Sequence, residues 1–186
     1  MRRLIFPVLA VLAAATMGCD SASQGSAAAH VALRDDGQVT LEKMEAQMPW
    51  MTDVVNSSYG YAIFPEIGAA AIGVGGASGK GIVYRNGQPI GRITLDQASV
   101  GVQLGGDTFG ELIVFQDDHA FNRMINNSIE FGADASATII KSGAAGDKNF
   151  ANGVKVFILP KGGLMAGVSV NGQKFHFTPT EHNNNS

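Results

Sequence analysis

Tyr-Gly-Tyr-Ala-Ile-Phe-Pro (59–65), the glycine-rich run from Glu66 to Lys80, and Gly-Ile-Val-Tyr-Arg-Asn-Gly-Gln-Pro-Ile-Gly (81–91) together decide the fold of this chain. Glycine recurs at 60, 68, 73, 75, 76, 79, 81, 87 and 91 among Ala, Ile and Val, so the backbone must bend or approach a neighbour closely here. Reactive side chains are almost absent, which makes the stretch a scaffold. Asn86-Gly87, lying between Gly81–Arg85 and Gln88–Leu95, signals a two-residue hairpin because both residues tolerate positive φ.

On either side of that hairpin the pattern stays strand-like. Gly60–Phe64 reads as a strand ending at Pro65, Ala69–Ala77 as a second, and Ala98–Gln116 as a long alternating strand bent at Gly105-Gly106. Asp117 or Asp118 can cap a short helix with Phe121, Met124 and Ile125 on one face, ended by Asn126-Asn127. Ile129–Ile140, Val154–Leu159, Leu164–Val170 and Gln173–Phe177 read as further strands, with Ser142–Asn152 as a loop. Asn171-Gly172 forms a second hairpin turn of the same type. Eight or so strands, two or three short helices and no βαβ rhythm predict an α+β fold of predominantly antiparallel β, its curled sheet forming a barrel-like or sandwich core.

The other end of the chain speaks of location. Arg2 and Arg3, an apolar run from Leu4 to Ala15 and small residues before Cys19 have the three parts of an export signal, and the run is too short to span a bilayer. Cys19 is the only cysteine among 186 residues, so no internal disulfide is available. Ala-Thr-Met-Gly-Cys (15–19) resembles a bacterial lipoprotein box, with Thr16 where leucine is usual. Acylation of Cys19, palmitate chains included, would make it a mature, membrane-anchored N-terminus facing the periplasm or exterior; a plain secreted protein cleaved nearby is the alternative. Asp20 after the cysteine fits inner-membrane retention where that sorting rule applies. The expected organisation is a signal peptide over 1–18, a flexible Ser/Ala/Gln/Gly tether over 19–38, a domain over 39–178 and a disordered tail over 179–186.

Leu41, Met44, Met48, Met51 and Val55 fall at helical spacing, with Thr40 as N-cap and Pro49 forcing a break near Met48. This stretch could lie on a membrane with Met48, Trp50 and Met51 towards lipid. Glu42, Glu45 and Asp53 outnumber Lys43 and would be repelled by anionic lipid, which favours a helix capping the core. Across the chain 13 Lys and Arg stand against 16 Asp and Glu, a net charge of −3. Loss of Arg2 and Arg3 with the leader leaves 11 against 16, or −5, which argues against a nucleic-acid partner.

Tests for chemistry fail one by one. Gly75 to Gly79 leaves three residues where a phosphate loop has four, and Gly81 replaces the Ser or Thr that reaches magnesium. Gly76-Ala77-Ser78-Gly79-Lys80 has lysine where a nucleophile elbow needs glycine. His30, His119, His176 and His182 lack metal-ligand spacing, and His176, between Phe175 and Phe177, falls on the solvent face of its strand. Asp117-Asp118 has a sufficient explanation as a cap, with glycosidase-type catalysis the alternative. Asp134 suits a carboxylate held by backbone or Ser hydrogen bonds, with catalysis the other reading. The residues call for no cofactor, no metal and no enzymatic activity.

Five ordered stretches carry a resemblance: Tyr-Ala-Ile-Phe-Pro (61–65), Gly-Val-Gly-Gly-Ala-Ser-Gly-Lys-Gly (73–81), Gln-Ala-Ser-Val-Gly-Val-Gln-Leu-Gly-Gly (97–106), Phe-Gly-Ala-Asp-Ala-Ser (131–136) and Lys-Gly-Gly-Leu-Met-Ala-Gly (161–167). From about Gly60 to Phe177 the chain resembles the SYLF-domain family, in its bacterial lipoprotein branch. The resemblance implies lipid binding without catalysis. Eukaryotic members bind phosphoinositide membranes, partly through an N-terminal amphipathic helix, and some are linked to actin; here the helix before the core is short, acidic and interrupted by Pro49. The expected function is therefore a non-enzymatic, membrane-anchored envelope domain that binds phospholipid or another envelope component, or else a structural or protein-interaction module of the envelope. Lys80, Arg85 and Lys161 are the candidate head-group contacts, since the two lysines adjoin glycines at expected turns whose backbone N–H groups can also face an anion.

Overall fold

The computed structural model describes residues 21–72, 74–100, 105–126, 137–140, 150–161, 170 and 172–180. Among the described residues three helices, α1 (Ser21–Gln47), α2 (Met51–Asn56) and α3 (Asp118–Ile125), accompany seven strands. The strands are β1 (Gly60–Ile72), β2 (Val74–Arg85), β3 (Gln88–Val100), β4 (Gly105–Phe115), β5 (Ala137–Ile139), β6 (Val154–Pro160) and β7 (Gln173–Pro179). They form one sheet in the order β5-β6-β4-β1-β2-β3-β7. Five of the six pairings are antiparallel, and the three-residue β5 runs parallel to β6. The sub-order β4-β1-β2-β3 is that of a Greek key.

The sheet is strongly curled. Gln173 on β7 donates from Nε2 to Glu111 Oε2 on β4 at 2.9 Å, although three strands stand between them, a separation of roughly 19 Å in a flat sheet. Phe64 on β1 and Phe175 on β7 likewise meet with ring centroids 6.2 Å apart. Among the described ladders none joins β5 to β7, so the expected α+β, mainly antiparallel class holds but the sheet does not close into a barrel. Its concave, inner face packs Phe64, Ile113, Phe115 and Phe175 with Phe121 and Met124 of α3. The outer face packs Ile63, Leu112, Val114 and Phe157 beneath Met44, Met48 and Met51 of the N-terminal helices. Central strands buried on both faces read as unbroken apolar runs, which explains Leu112–Phe115.

Several boundaries differ from expectation for identifiable reasons. Ala69–Ala77 is not one strand, because β1 and β2 pair up to Ile72 and Val74 and the run folds back on itself. Pro65 does not end β1. The register of both neighbouring ladders shifts around it, and at such a bulge a missing donor costs little. Ala98–Gln116 divides between β3 and β4, which pair with different partners. An Asn-Gly turn not expected from the sequence appears at Asn152-Gly153, with φ of 51° and 77°, closing Ala151 onto Val154 through reciprocal backbone bonds of 2.9 Å, while Asn171 of the second expected turn lies outside the described residues. Asn86-Gly87 turns as predicted, with φ of 49° and 74°.

The segment read as a flexible tether is helical from Ser21. Ala27, Ala28, Ala29 and Ala32 are strong helix formers, a property that a composition-based disorder reading undervalues. Thr40 is consequently inside α1, buried at 4% exposure rather than capping it. Pro49 does break the helix, since α1 stops at Gln47 and α2 starts at Met51. Asp117 is the N-cap of α3, its Oδ1 accepting from the Ala120 N–H at 2.8 Å. Signal peptide, Cys19 and Asp134 lie outside the described residues.

Candidate functional site

β2 carries Lys80 on the outer face, exposed and opposite Glu66 of β1 in register. It stands in mid-strand, not at a turn. The glycines beside it serve the inner face: a Cβ on Gly79 would meet Glu66 O at 2.8 Å, and one on Gly81 would meet Ile63 O at 2.6 Å. They admit the bulged β1 against β2.

Lys161, just beyond β6, reaches the same carboxylate from the other side, its Nζ 3.2 Å from Glu66 Oε2. The structure thus brings Lys80 and Lys161 to one strip, with Glu66 between them. Arg85 is not part of it. Five residues along β2 from Lys80, about 17 Å, its guanidinium carbon lies 5.0 Å from the centre of the Phe121 ring, a cation–π contact at the far end of the inner face. The three cations expected to act together are two sites of different character.

The apolar candidates turn inward. Met48 and Met51 are 1% and 0% exposed within the outer-face cluster, and the half-buried Trp50 packs on Phe157 with ring centroids 5.8 Å apart. The Met48, Trp50 and Met51 strip offered as a lipid contact is spent on the core, because a sheet face as wide as this one needs a cover. Beneath the same helical layer Tyr61 and Tyr84 stack at 4.7 Å and 12°. Burial, helped by Tyr84 and Glu45, pushes the Tyr61 hydroxyl up to about 12, so it stays neutral.

Sequence reasoning missed Glu111. It alternates inward with Phe109, Ile113 and Phe115, and its side chain has no exposure. Burial pushes its carboxyl up to about 8, against a smaller downward pull from the Gln173 hydrogen bond, so it is neutral at physiological pH. Glu111 Oε1 and Gln173 Oε1 are buried without a hydrogen-bond partner; protonation supplies an O–H donor where the carboxylate has none. The signal was available in the alternation, a single carboxylate at an inward position of an apolar strand. Gln173, opening β7 before inward Phe175, is its counterpart. Among the described residues no group of three or more His, Cys, Asp or Glu gathers as a metal site, and no helix is long and apolar enough to cross a membrane. His176 is exposed between inward neighbours, as expected.

Residues 96–185 match the family model Ysc84, described as Las17-binding protein actin regulator. Over those residues the chain is similar to the Ysc84, or SYLF, family. The SYLF match takes in the end of β3 and everything from β4 to β7, and so includes Glu111, Lys161 and Gln173 but neither Lys80 nor Arg85. It contains the motifs at 97–106, 131–136 and 161–167, while those at 61–65 and 73–81 fall before it. No curated protein matches the chain. A SYLF domain fits a binding module.

Proposed function

We propose that the chain is a non-enzymatic envelope lipoprotein, anchored through acylated Cys19, whose SYLF domain binds phospholipid or another envelope component. The observation that carries the reading is the N-terminal pattern, two arginines, a short apolar run and small residues ending on a lone cysteine, ahead of a SYLF segment. Lys80 is the head-group contact best supported on the outer face, being exposed; Lys161 contributes less because Glu66 already neutralises it.

Two measurements test this. Labelling with an alkyne fatty acid tags the full chain and not the Cys19→Ser variant; equal labelling of both removes the anchor. The Cys19→Ser chain is then floated with anionic or neutral vesicles at two salt concentrations. Salt-sensitive flotation on anionic vesicles, reduced by Lys80→Glu, supports head-group recognition. Absence of flotation leaves Cys19 as the membrane contact and favours the second reading, a structural or protein-interaction module. The family description, which names a protein partner, supports that alternative.

A further inference from the structure

Asparagine followed by glycine is the pair most open to spontaneous loss of the side-chain amide, because glycine has no side chain to shield its backbone nitrogen. Asn86-Gly87 and Asn152-Gly153 lie wholly within the described residues. Both adopt positive φ, 49° and 74° in the first and 51° and 77° in the second. Their surroundings differ. At the tip of the β2-β3 hairpin Asn86 and Gly87 are both exposed, and nothing lies within 4 Å of where a Gly87 Cβ would stand. The Asn86 N–H donates to Tyr59 O at 3.3 Å, but among the described residues no hydrogen-bond donor holds the Asn86 carbonyl or its side chain. The other turn is held. The Asn152 carbonyl accepts from Arg123 Nη2 of α3 at 3.1 Å, and the Gly153 carbonyl accepts from the Gln116 N–H at 2.9 Å. A Cβ on Gly153 would meet Asp117 Oδ2 at 2.8 Å and Ala120 Cβ at 3.1 Å. We propose that Asn86 is a site of spontaneous modification, becoming aspartate and isoaspartate through a cyclic imide with Gly87, while Gln116 and α3 protect Asn152 from the same reaction.

The Gly87 nitrogen attacks the side-chain carbonyl carbon of Asn86. The new C–N bond replaces the bond to the side-chain nitrogen, which leaves as ammonia with the Gly87 amide proton. Water then opens the imide. Cleavage between the Gly87 nitrogen and the side-chain carbonyl leaves aspartate, and cleavage at the backbone carbonyl leaves isoaspartate; neither step involves oxidation or reduction. Ring closure requires the bond between the Asn Cα and its carbonyl carbon to turn until the next nitrogen faces the side chain, and the carbonyl oxygen swings with it. At Asn86 that swing breaks no described hydrogen bond, and the exposed turn admits the water that completes the reaction. At Asn152 it removes the Arg123 contact and drives Gly153 against the N-terminus of α3. Isoaspartate adds a backbone atom between Arg85 and Gln88, which pair across the turn, and either product adds a negative charge. The reaction depends neither on acylation nor on lipid binding.

The test follows both asparagines in one sample. The full chain is held for several days in mildly alkaline buffer, native or unfolded in urea. Trypsin cuts after Arg85 and Arg92 and after Lys148 and Lys155, so the two sites fall in separate peptides. Mass spectrometry reads the exchange of amide for acid, and labelling by an isoaspartyl methyltransferase reads the isomer. In the native chain Asn86 is expected to convert roughly tenfold faster than Asn152, the factor for keeping one hydrogen bond to a charged donor. In urea the two rates converge, because both turns are lost. Equal rates in the native chain, a faster Asn152, or an Asn86 that stays intact while the unfolded chain converts would each overturn the proposal.

Discussion

Gly110 of β4 faces Thr40 of α1 at a distance that leaves no room for a methyl group, since a Cβ on Gly110 would stand 2.9 Å from Thr40 Cγ2. The helix covers the sheet by direct approach of small surfaces at this point, and at Gly37, whose Cβ would lie 3.2 Å from Ile63 Cγ2. Gly110→Ala is expected to destabilise the chain by about 1–3 kcal/mol through overpacking. Adding Thr40→Ser, which removes the opposing methyl, should recover part of that loss. Urea unfolding of the four species of a double-mutant cycle measures the coupling; additive effects would show that the contact is not the cause.

The burial of the methionines separates stability from membrane contact. Met51→Ala is expected to cost about 2–5 kcal/mol, the range for a fully buried methionine, and to shift the thermal midpoint of the Cys19→Ser chain. Vesicle flotation measured below that midpoint should be unchanged. A Met51→Ala chain of normal stability that no longer floats would place the side chain at the lipid after all.

Two glycines with the same backbone requirement sit in different surroundings. Gly87, with φ of 74°, has nothing within 4 Å of a would-be Cβ, while Gly153, with φ of 77°, would bring a Cβ to 2.8 Å from Asp117 Oδ2 at the start of α3. Replacing Gly87 by Ala should cost on the order of 1 kcal/mol from conformation alone. Gly153→Ala should cost more, because the Asn152-Gly153 turn also receives Arg123 at 3.1 Å and Gln116 at 2.9 Å. Equal denaturation midpoints for the two variants would refute the difference.

The buried carboxyl makes global stability depend on pH with a definite sign. Its folded pKa of about 8 lies above the ordinary 4.5, so the folded state binds more protons between those values and unfolding releases one. The stabilisation is fully present below about pH 4.5 and is lost as pH rises towards 8, at about 1.4 kcal/mol per pH unit and roughly 5 kcal/mol in all. Glu111→Gln should lack this slope and be the more stable species at pH 8. Urea midpoints from pH 5 to 9 supply the comparison.

How far the residues alone reveal the fold depends on whether the information is local. Asn86-Gly87, Asp117 and the row Leu41, Met44, Met48, Met51 and Val55 act within a few positions of themselves, and each does what its type and spacing predict. The bulge at Pro65 and the reversal between Ile72 and Val74 depend on strands brought alongside later, so periodicity alone mistook both. For the candidate contacts the same division holds. Exposure of Lys80 follows from alternation, but the Lys161–Glu66 pair joins residues 95 positions apart, and Glu111 is buried by strands from across the sheet and bonds a partner 62 positions away.

The curl of the sheet also imposes an order on biosynthesis. β7 is the last of the seven described strands and supplies Phe175 to the inner layer, so a chain emerging from the ribosome cannot complete that layer until β7 is made. Every long-range pairing through β3 and β7 closes a loop of about eighty residues, which slows folding and leaves Phe64 and Leu95 uncovered meanwhile. A nascent chain of this architecture keeps its inner layer open until β7 itself has emerged, so the curl of the sheet is completed by its last-made described strand.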